Sequence, residues 1–262
     1  MDVELRAGLV EVAGTLPTFA SAGVEERAVS IGRIAADSYD YLASLLGFRP
    51  AIQVLVVTEA DWSRVTETPI YGLPNAGNGT LVVAGDEPPL WSAFADMVQP
   101  ADRPEFDRVY GLPDGSFRLG PFMDLIAVHE VAHVFHQGTQ HFPRLWLQEL
   151  FANLCTHAWV ADRSPADLEV LTTLPRLGAA APASAWEHST REDFETQYTG
   201  MGGPNYVWYQ FRLQVEAAAM YERSGTAVVR RLFDAFNLPD DALARRLAAD
   251  VDPGLGEFSL AF

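Results

Sequence analysis

The fold is decided by the stretch Phe122–Gln137, which reads FMDLIAVHEVAHVFHQ. Its apolar residues recur at the spacing of an α-helix, and Gly138 follows as a helix stop, so the stretch predicts one helix. Inside it, His129 and His133 are four residues apart and therefore share one face of the helix, about 6 Å apart. Two imidazoles at this spacing can bind one metal ion, and Glu130 on an adjacent face can act as a base for a water molecule.

Zinc is the cofactor that this pattern predicts. Zn²⁺ takes nitrogen and oxygen ligands in tetrahedral geometry, and three protein ligands leave a fourth position for water. The ion lowers the pKa of that water toward about 7 and polarises a substrate carbonyl group. The apolar neighbours Leu125, Ile126 and Ala132 predict that both histidines are partly buried, and a buried polar group needs a partner such as a metal ion.

A second stretch, Trp146–Asn153, reads WLQELFAN. Together the two stretches resemble the gluzincin metallopeptidases, a group that includes thermolysin and the aminopeptidase N-type enzymes, in which a second helix supplies a glutamate ligand. The resemblance implies that Glu149 is the third metal ligand and that Glu130 is the general base. It also implies a role for Asn153, which stands where thermolysin-like enzymes have aspartate: its carbonyl oxygen would accept a hydrogen bond from His129.

A third segment, Asn205–Gln210, resembles the helix whose tyrosine stabilises the oxyanion in aminopeptidase N-type enzymes. Tyr209 fits the separation from Glu149 best, and Tyr206 is the alternative; either phenol could donate to a tetrahedral oxyanion. In these families an edge strand holds the substrate in extended form, and Leu81–Ala84 is the candidate for that strand.

The resemblance covers residues 122–236 and implies a zinc metallopeptidase acting on a peptide or a small amide. The Gly-x-Met-x-Asn motif that anchors a free amino terminus is absent before His129, which argues against an aminopeptidase. The sequence departs from the family at Leu150, which replaces a glycine, and at Asn153. These departures keep a second hypothesis open, in which the chain has the peptidase fold but is a binding or structural protein without catalysis.

His141 is the rival of Glu149 as the third ligand. The metzincin pattern HExxHxxGxxH needs glycine and histidine at positions 136 and 139, and here Gly138 and His141 come two residues late. His136 lies about 10 Å along the helix axis from His129, so it is predicted to be a polar residue on the helix flank rather than a ligand.

The composition excludes several classes of function. The chain has 262 residues and a formal net charge of −17, and so acidic a surface repels nucleic acid and anionic membranes. All 18 basic residues are arginine, which removes Schiff-base and P-loop lysine chemistry. The single cysteine, Cys155, allows no intrachain disulfide and is predicted to be a small core residue. With no apolar run of about 18 residues and no basic leader, a cytoplasmic protein is expected.

The predicted elements change in character near residue 120. Before it, a helix is predicted at Val24–Leu46 and strands at Ile52–Thr58 and Leu81–Ala84, with residues 71–80 as a loop and 99–120 irregular. After it the predicted elements are helices, at Phe122–Gln137, Leu145–Ala161, Pro165–Thr173 and Asn205–Arg223. The predicted fold class is α+β and zincin-like. Residues 1–262 would form a single domain, with a mixed α/β lobe over 1–120, a helical lobe over 121–262 and an active-site cleft between them.

Overall fold

The computed structural model describes residues 4–137, 144–236 and 243–258. The strands are β1 (Val10–Val12), β2 (Thr18–Ala20), β3 (Gln53–Val57), β4 (Asn75–Gly77) and β5 (Thr80–Ala84). The α-helices are α1 (Glu25–Leu46), α2 (Glu59–Val65), α3 (Pro89–Phe94), α4 (Arg103–Tyr110), α5 (Gly120–Gln137), α6 (Leu145–Arg163), α7 (Leu168–Ala179), α8 (Arg191–Gln197), α9 (Gly203–Ser224), α10 (Ala227–Ala235), α11 (Leu243–Arg246) and α12 (Gly254–Phe258). This mixture of one sheet and many helices confirms the α+β class in general terms.

The chain divides into two compact units. Unit 1 consists of Met1–Ala93 and Leu119–Gly138, and unit 2 consists of Phe94–Arg118 and Thr139–Phe262. The division predicted at residue 120 is therefore displaced, because α5 belongs to the unit that contains the sheet and not to the helical one. The reason is packing: α5 contacts α1, β4 and β5, and its apolar side chains are buried in unit 1.

Unit 1 contains a mixed five-stranded sheet in the order β1-β2-β3-β5-β4. The three inner strands β2, β3 and β5 are parallel, and β1 and β4 pair antiparallel at the two edges. Strands β3 and β5 are buried along their whole length, as is typical of parallel strands with both faces covered. The prediction that Leu81–Ala84 is an edge strand open to a substrate is therefore wrong, because β4 occupies that edge.

A two-residue turn, Asn78 and Gly79, joins β4 to β5. Asn78 has a φ of 49° and Gly79 a φ of 74°, so both residues adopt the left-handed conformation that a type I′ hairpin turn requires. A Cβ atom on Gly79 would lie 2.6 Å from the carbonyl oxygen of Ala51, so the position also lacks space for a side chain. An Asn-Gly pair is a strong hairpin signal, and it marks the strand β4 within a region predicted only as a loop.

Unit 2 is organised around the helices α6 and α9. The two helices run parallel, because Asn153 bonds to Gln210 and, further along both helices, Tyr221 bonds to Asp162.

The helices α4 and α7 pack beside this pair. Gly178 of α7 faces the ring of Phe211 on α9 at a distance that leaves no room for a Cβ atom. The hydroxyl group of Tyr110 on α4 donates to the carbonyl oxygen of Val170 on α7 at 2.7 Å. The sequence predicted that residues 99–120 are irregular. They are not wholly irregular, because they contain the helix α4.

The longest predicted helices are confirmed. Val24–Leu46 corresponds to α1, Phe122–Gln137 to α5, Leu145–Ala161 to α6 and Asn205–Arg223 to α9, with ends that differ by at most two residues. Within the described part of the chain, no helix combines the length and the apolar character needed to cross a membrane.

His157 on α6 should make the stability of the protein depend on pH. It is 4% exposed, its Nδ1 has no hydrogen-bond partner among the described residues, and burial lowers its pKa from 6.5 to about 4. The unfolded chain takes up a proton at His157 as the pH falls below about 6.5, whereas the folded chain takes it up only near pH 4. The free energy of unfolding should therefore fall between about pH 6.5 and pH 4, by up to about 3 kcal/mol. Urea unfolding across this range should show the loss in the wild type and a flatter profile in His157→Leu; equal slopes would contradict the assignment.

Candidate metal centre

The side chains of His129, Glu130 and His133 form one cluster on α5. Their candidate ligand atoms all lie within 4.8 Å of one another, and the Nε2 atoms of the two histidines are 2.9 Å apart. His129 and Glu130 are buried, whereas His133 is partly exposed. Two imidazole nitrogens that face each other either share one proton or bind a common cation. The cluster could therefore hold a metal ion.

The donor set of the cluster fits zinc. Zinc accepts imidazole nitrogen and carboxylate oxygen in a tetrahedral arrangement, and ligands at about 2.0–2.1 Å from such an ion lie roughly 3.3 Å from each other. The separation of 2.9 Å between the Nε2 atoms is close to this value. Imidazole also binds other divalent transition metals, and the choice of zinc stays a prediction from the sequence.

His136 supports the orientation of His133. Its Nε2 faces Nδ1 of His133 in a short hydrogen bond, and the two rings are nearly perpendicular, with centroids 4.6 Å apart. The sequence predicted His136 on an open flank of the helix. It is instead buried, with 3% exposure, because α5 is buried on almost all sides. Histidine ligands commonly bond a second group through the other ring nitrogen, which fixes the ring, and His136 has this position. The spacing of three residues between His133 and His136 is the sequence signal for this contact.

The helix that carries the cluster is fixed within unit 1. Phe135 packs against Tyr39 of α1 and against Phe48, with ring centroids 5.3 and 5.4 Å apart. At the last turn of the helix, the side-chain amide nitrogen Nε2 of Gln137 donates to the carbonyl oxygen of Ala76 in β4 at 3.0 Å. The cluster therefore sits on a rigid element, which holds its side chains in one arrangement.

A cavity of about 420 Å³ opens in unit 1 beside the last turns of α5. Its lining consists of Pro50, Ala51, Gly77, Asn78, Gly79, Val134 and Gln137. It lies against the edge strand β4 and its turn, and Val134 is the chain neighbour of His133. The side chains of His129, Glu130 and His133 do not line this cavity.

Glu149 lies on α6 in unit 2, where two donors hold its carboxylate. The hydroxyl group of Tyr198 donates to Oε1 and the amide nitrogen of Gln210 donates to Oε2, both at 2.7 Å. Glu149 is only 4% exposed. Burial, and then the negative charge of Glu149, raise the pKa of Tyr198, so this phenol stays protonated and remains a donor. Glu149 is a buried, oriented carboxylate, and its binding to the same ion as the two histidines stays a prediction.

Tyr198 was missed at the sequence level. It follows α8, 49 residues after Glu149, so helical spacing does not connect the two residues. The helix α8 begins with a capping box in which Thr190 and Asp193 bond reciprocally. The pattern Thr-x-x-Asp is visible in the sequence and could have located this helix, but not the contact that Tyr198 makes.

Asn153 is connected to Glu149 through its amide nitrogen. This nitrogen donates to the main-chain carbonyl oxygen of Glu149 at 2.9 Å and to the side-chain oxygen of Gln210 at 3.0 Å. The role predicted for Asn153 concerned its carbonyl oxygen and His129 of unit 1, and it stays a prediction. The observed bonds give Asn153 a different role, which is to orient the amide group of Gln210.

The two candidate tyrosines differ in their surroundings. Tyr209 is fully buried, its hydroxyl group donates to the carbonyl oxygen of Thr190 at 2.8 Å, and burial raises its pKa. Tyr206 is partly exposed and accepts a hydrogen bond from Gln210 at 2.7 Å, and its hydroxyl group is 3.4 Å from that of Tyr198. The hydroxyl group of Tyr209 is thus bonded to the main chain and that of Tyr206 to a side chain, and the role of either as an oxyanion donor stays a prediction.

Two further expectations concern residues near the second helix. His141, the rival third ligand, lies outside the described residues. Cys155 is fully buried and burial raises the pKa of its thiol, so it is an unreactive core residue, as predicted.

Comparisons with protein-family models, with curated proteins and with solved structures find no match.

Proposed function

We propose that the chain is a zinc-dependent metallohydrolase of the gluzincin type, with a zincin-like fold, that cleaves peptide or small amide bonds. The observation that carries the proposal is the cluster on α5, in which the Nε2 atoms of His129 and His133 are 2.9 Å apart and the buried Glu130 lies beside them. A buried carboxylate next to two imidazoles has a high desolvation cost in a purely structural role, and a bound cation offsets that cost.

The roles of the residues follow from their chemistry. His129 and His133 would hold the ion, with Glu149 as the third ligand. Bound zinc polarises the scissile carbonyl group and makes water a better nucleophile at neutral pH. Glu130 takes a proton from the attacking water and passes it to the leaving amine, which completes hydrolysis without a covalent intermediate on the protein.

Tyr206 is the proposed donor to the oxyanion. Its oxygen accepts a hydrogen bond from Gln210 and lies 3.4 Å from the hydroxyl oxygen of Tyr198, and its side chain is partly exposed. A hydrogen bond from this hydroxyl group to a substrate oxygen would strengthen with the developing charge and accelerate the reaction.

The proposed substrate is an extended peptide or a small amide that meets unit 1 at β4. This strand stands at the end of the sheet, where the main chain of a peptide could add as a further strand once the side chain of Gln137 released the carbonyl oxygen of Ala76. The cavity beside Gly77, Asn78 and Val134 offers space for a side chain of such a peptide.

The proposal is tested by metal content and metal-dependent hydrolysis. Elemental mass spectrometry of the purified protein should find about one zinc per chain, and a peptide library should be cleaved, with cleavage lost to a chelator and restored by added zinc. One zinc per chain with no cleavage of any library member would favour the rival function, a binding or structural protein. A chain that takes up no metal would contradict the proposal and would leave the rival function in its place.

A further inference from the structure

We infer that Asn153 and Gln210 are positioning residues for Glu149, and that they work through a ring of hydrogen bonds whose direction requires an amide at position 153. The inference rests on the proposed function, because it assigns these residues to the third metal ligand. It concerns only bonds within unit 2.

The ring starts and ends on Glu149. The Glu149 main-chain carbonyl accepts from Asn153, the Gln210 oxygen accepts from the same Asn153 nitrogen, and the Gln210 nitrogen donates to Oε2 of Glu149. Both ends of the ring are pure acceptors, a carbonyl oxygen and a carboxylate oxygen. The two amide groups between them can therefore satisfy all three bonds in only one orientation.

Gln210 is held in this orientation from a further side. Its nitrogen also donates to the hydroxyl oxygen of Tyr206 at 2.7 Å, so both of its N–H groups are used. If the amide group of Gln210 turned over, its nitrogen would face the Asn153 nitrogen and its oxygen would face the Glu149 carboxylate. Two donor–acceptor contacts would become repulsive at once, and the carboxylate would lose one of its donors.

Tyr198 completes the arrangement by donating to the other carboxylate oxygen, Oε1. With one donor on each oxygen, the plane of the Glu149 carboxylate is fixed by two bonds that approach it from α9 and from the end of α8. A carboxylate held in this way meets a cation without first losing the freedom to rotate.

Aspartate at position 153 should therefore weaken metal binding in this chain, although the resemblance to thermolysin-like enzymes favours aspartate there. An aspartate carboxylate accepts and does not donate, so Gln210 must either face it oxygen to oxygen or turn over and present its oxygen to Glu149. The added negative charge by itself would act in the opposite direction and attract a cation.

A double-mutant cycle separates these two effects. Zinc affinity of the full chain is measured by competition with a chromophoric chelator for the wild type, Asn153→Asp, Gln210→Met and the double variant. In the wild-type background Asn153→Asp should lower the affinity about 10–100-fold. In the Gln210→Met background, where no amide group can turn over, the same substitution should leave the affinity unchanged or raise it.

Matched variants control for folding and for general packing effects. Asn205→Asp makes the same change at a buried asparagine of α9, whose side-chain nitrogen donates to the carbonyl oxygen of His188, and it should keep wild-type zinc affinity. Tyr198→Phe should lower zinc affinity about 10-fold and change the visible spectrum of the cobalt-substituted protein, whereas Tyr221→Phe should do neither. Thermal unfolding of each metal-free variant shows whether it is folded, and Tyr198→Phe keeps the test decisive if Asn153→Asp does not fold.

The outcomes distinguish the inference from the function on which it rests. A wild-type chain that binds no zinc would overturn both. Zinc binding by the wild type, with the same fold-change for Asn153→Asp in the two backgrounds, would overturn the positioning role alone. An increase in affinity for Asn153→Asp in the wild-type background would likewise overturn it and would support the acceptor role implied by the resemblance.

Discussion

Replacing Glu130 with glutamine should leave zinc bound and should reduce peptide hydrolysis about 10²–10⁴-fold. Glutamine has nearly the same shape as glutamate, so the packing of the buried side chain on α5 is preserved, and the histidine nitrogens are untouched. It cannot take up a proton from water, and the step assigned to Glu130 is lost. The measurement is kcat/KM for a peptide identified in the library, together with the zinc content of the same preparation.

The control for this variant is Glu216→Gln on α9. Glu216 is a largely buried carboxylate that pairs with Arg223, so the substitution repeats the chemical change at a site with no proposed role in the reaction. It should keep wild-type activity. If Glu130→Gln retained activity within about threefold of the wild type, Glu130 could not be the general base, and the mechanism would be wrong even if zinc were present.

The second large effect is expected for Glu149→Ala, which should lose zinc from a chain that otherwise folds. Loss of a group that merely supports a ligand costs about 10–100-fold in metal affinity, and loss of a ligand should exceed that range. Alanine is a strong helix former, so the helix α6 is preserved, although the donors Tyr198 and Gln210 lose their common acceptor. Zinc content by elemental mass spectrometry and the affinity by chelator competition measure the effect.

The companion variant is His141→Ala, because His141 is the third ligand that the metzincin pattern would use. The gluzincin assignment expects it to keep one zinc per chain. The reverse result, with zinc lost from His141→Ala and kept by Glu149→Ala, would leave the two histidines of α5 as ligands and move the chain to the other family.

The sequence predicts the parts of the site that lie within one helix. His129, Glu130 and His133 come together because residues four apart share a helix face, and the apolar pattern of Phe122–Gln137 is long enough to establish that helix. His136 belongs to the same helix, and only its burial was misjudged. Burial depends on what packs around α5, and the helix alone does not contain that information.

The contacts around Glu149 were not predicted, for a physical reason. They join residues of α6 and α9 with Tyr198, which follows α8, and the pairing of helices depends on side-chain packing over long sequence separations. The parallel arrangement of α6 and α9, which brings Asn153 to Gln210, has no marker in the local sequence. Tyr209 was favoured over Tyr206 by its spacing in the sequence alone, and spacing does not show which hydroxyl group is bound to the main chain.

The edge of the sheet shows a third kind of difficulty. Leu81–Ala84 has the β-branched residues of a strand and lies in β5, as predicted. Its continuous apolar run is typical of a strand inside a sheet, and this pattern contradicts the edge position that was predicted for it. The real edge, β4, has only three residues, Asn75–Gly77, and a strand this short carries little pattern of its own. The turn residues Asn78 and Gly79 were its only strong signal.

The division of unit 1 into two stretches of chain has a consequence for how the protein is made. The ribosome completes the five strands by residue 84, but α5, which packs on β4, β5 and α1, ends at Gln137. During the interval, apolar surface on the sheet and on α1 has no helix to cover it, while residues 94–118 of the other unit are already being synthesised. Nascent chains with uncovered apolar surface are prone to aggregate. A chain that is stalled or cleaved before α5 should therefore bind chaperones or be degraded by proteases. The two histidines of α5 are synthesised with the helix that completes unit 1.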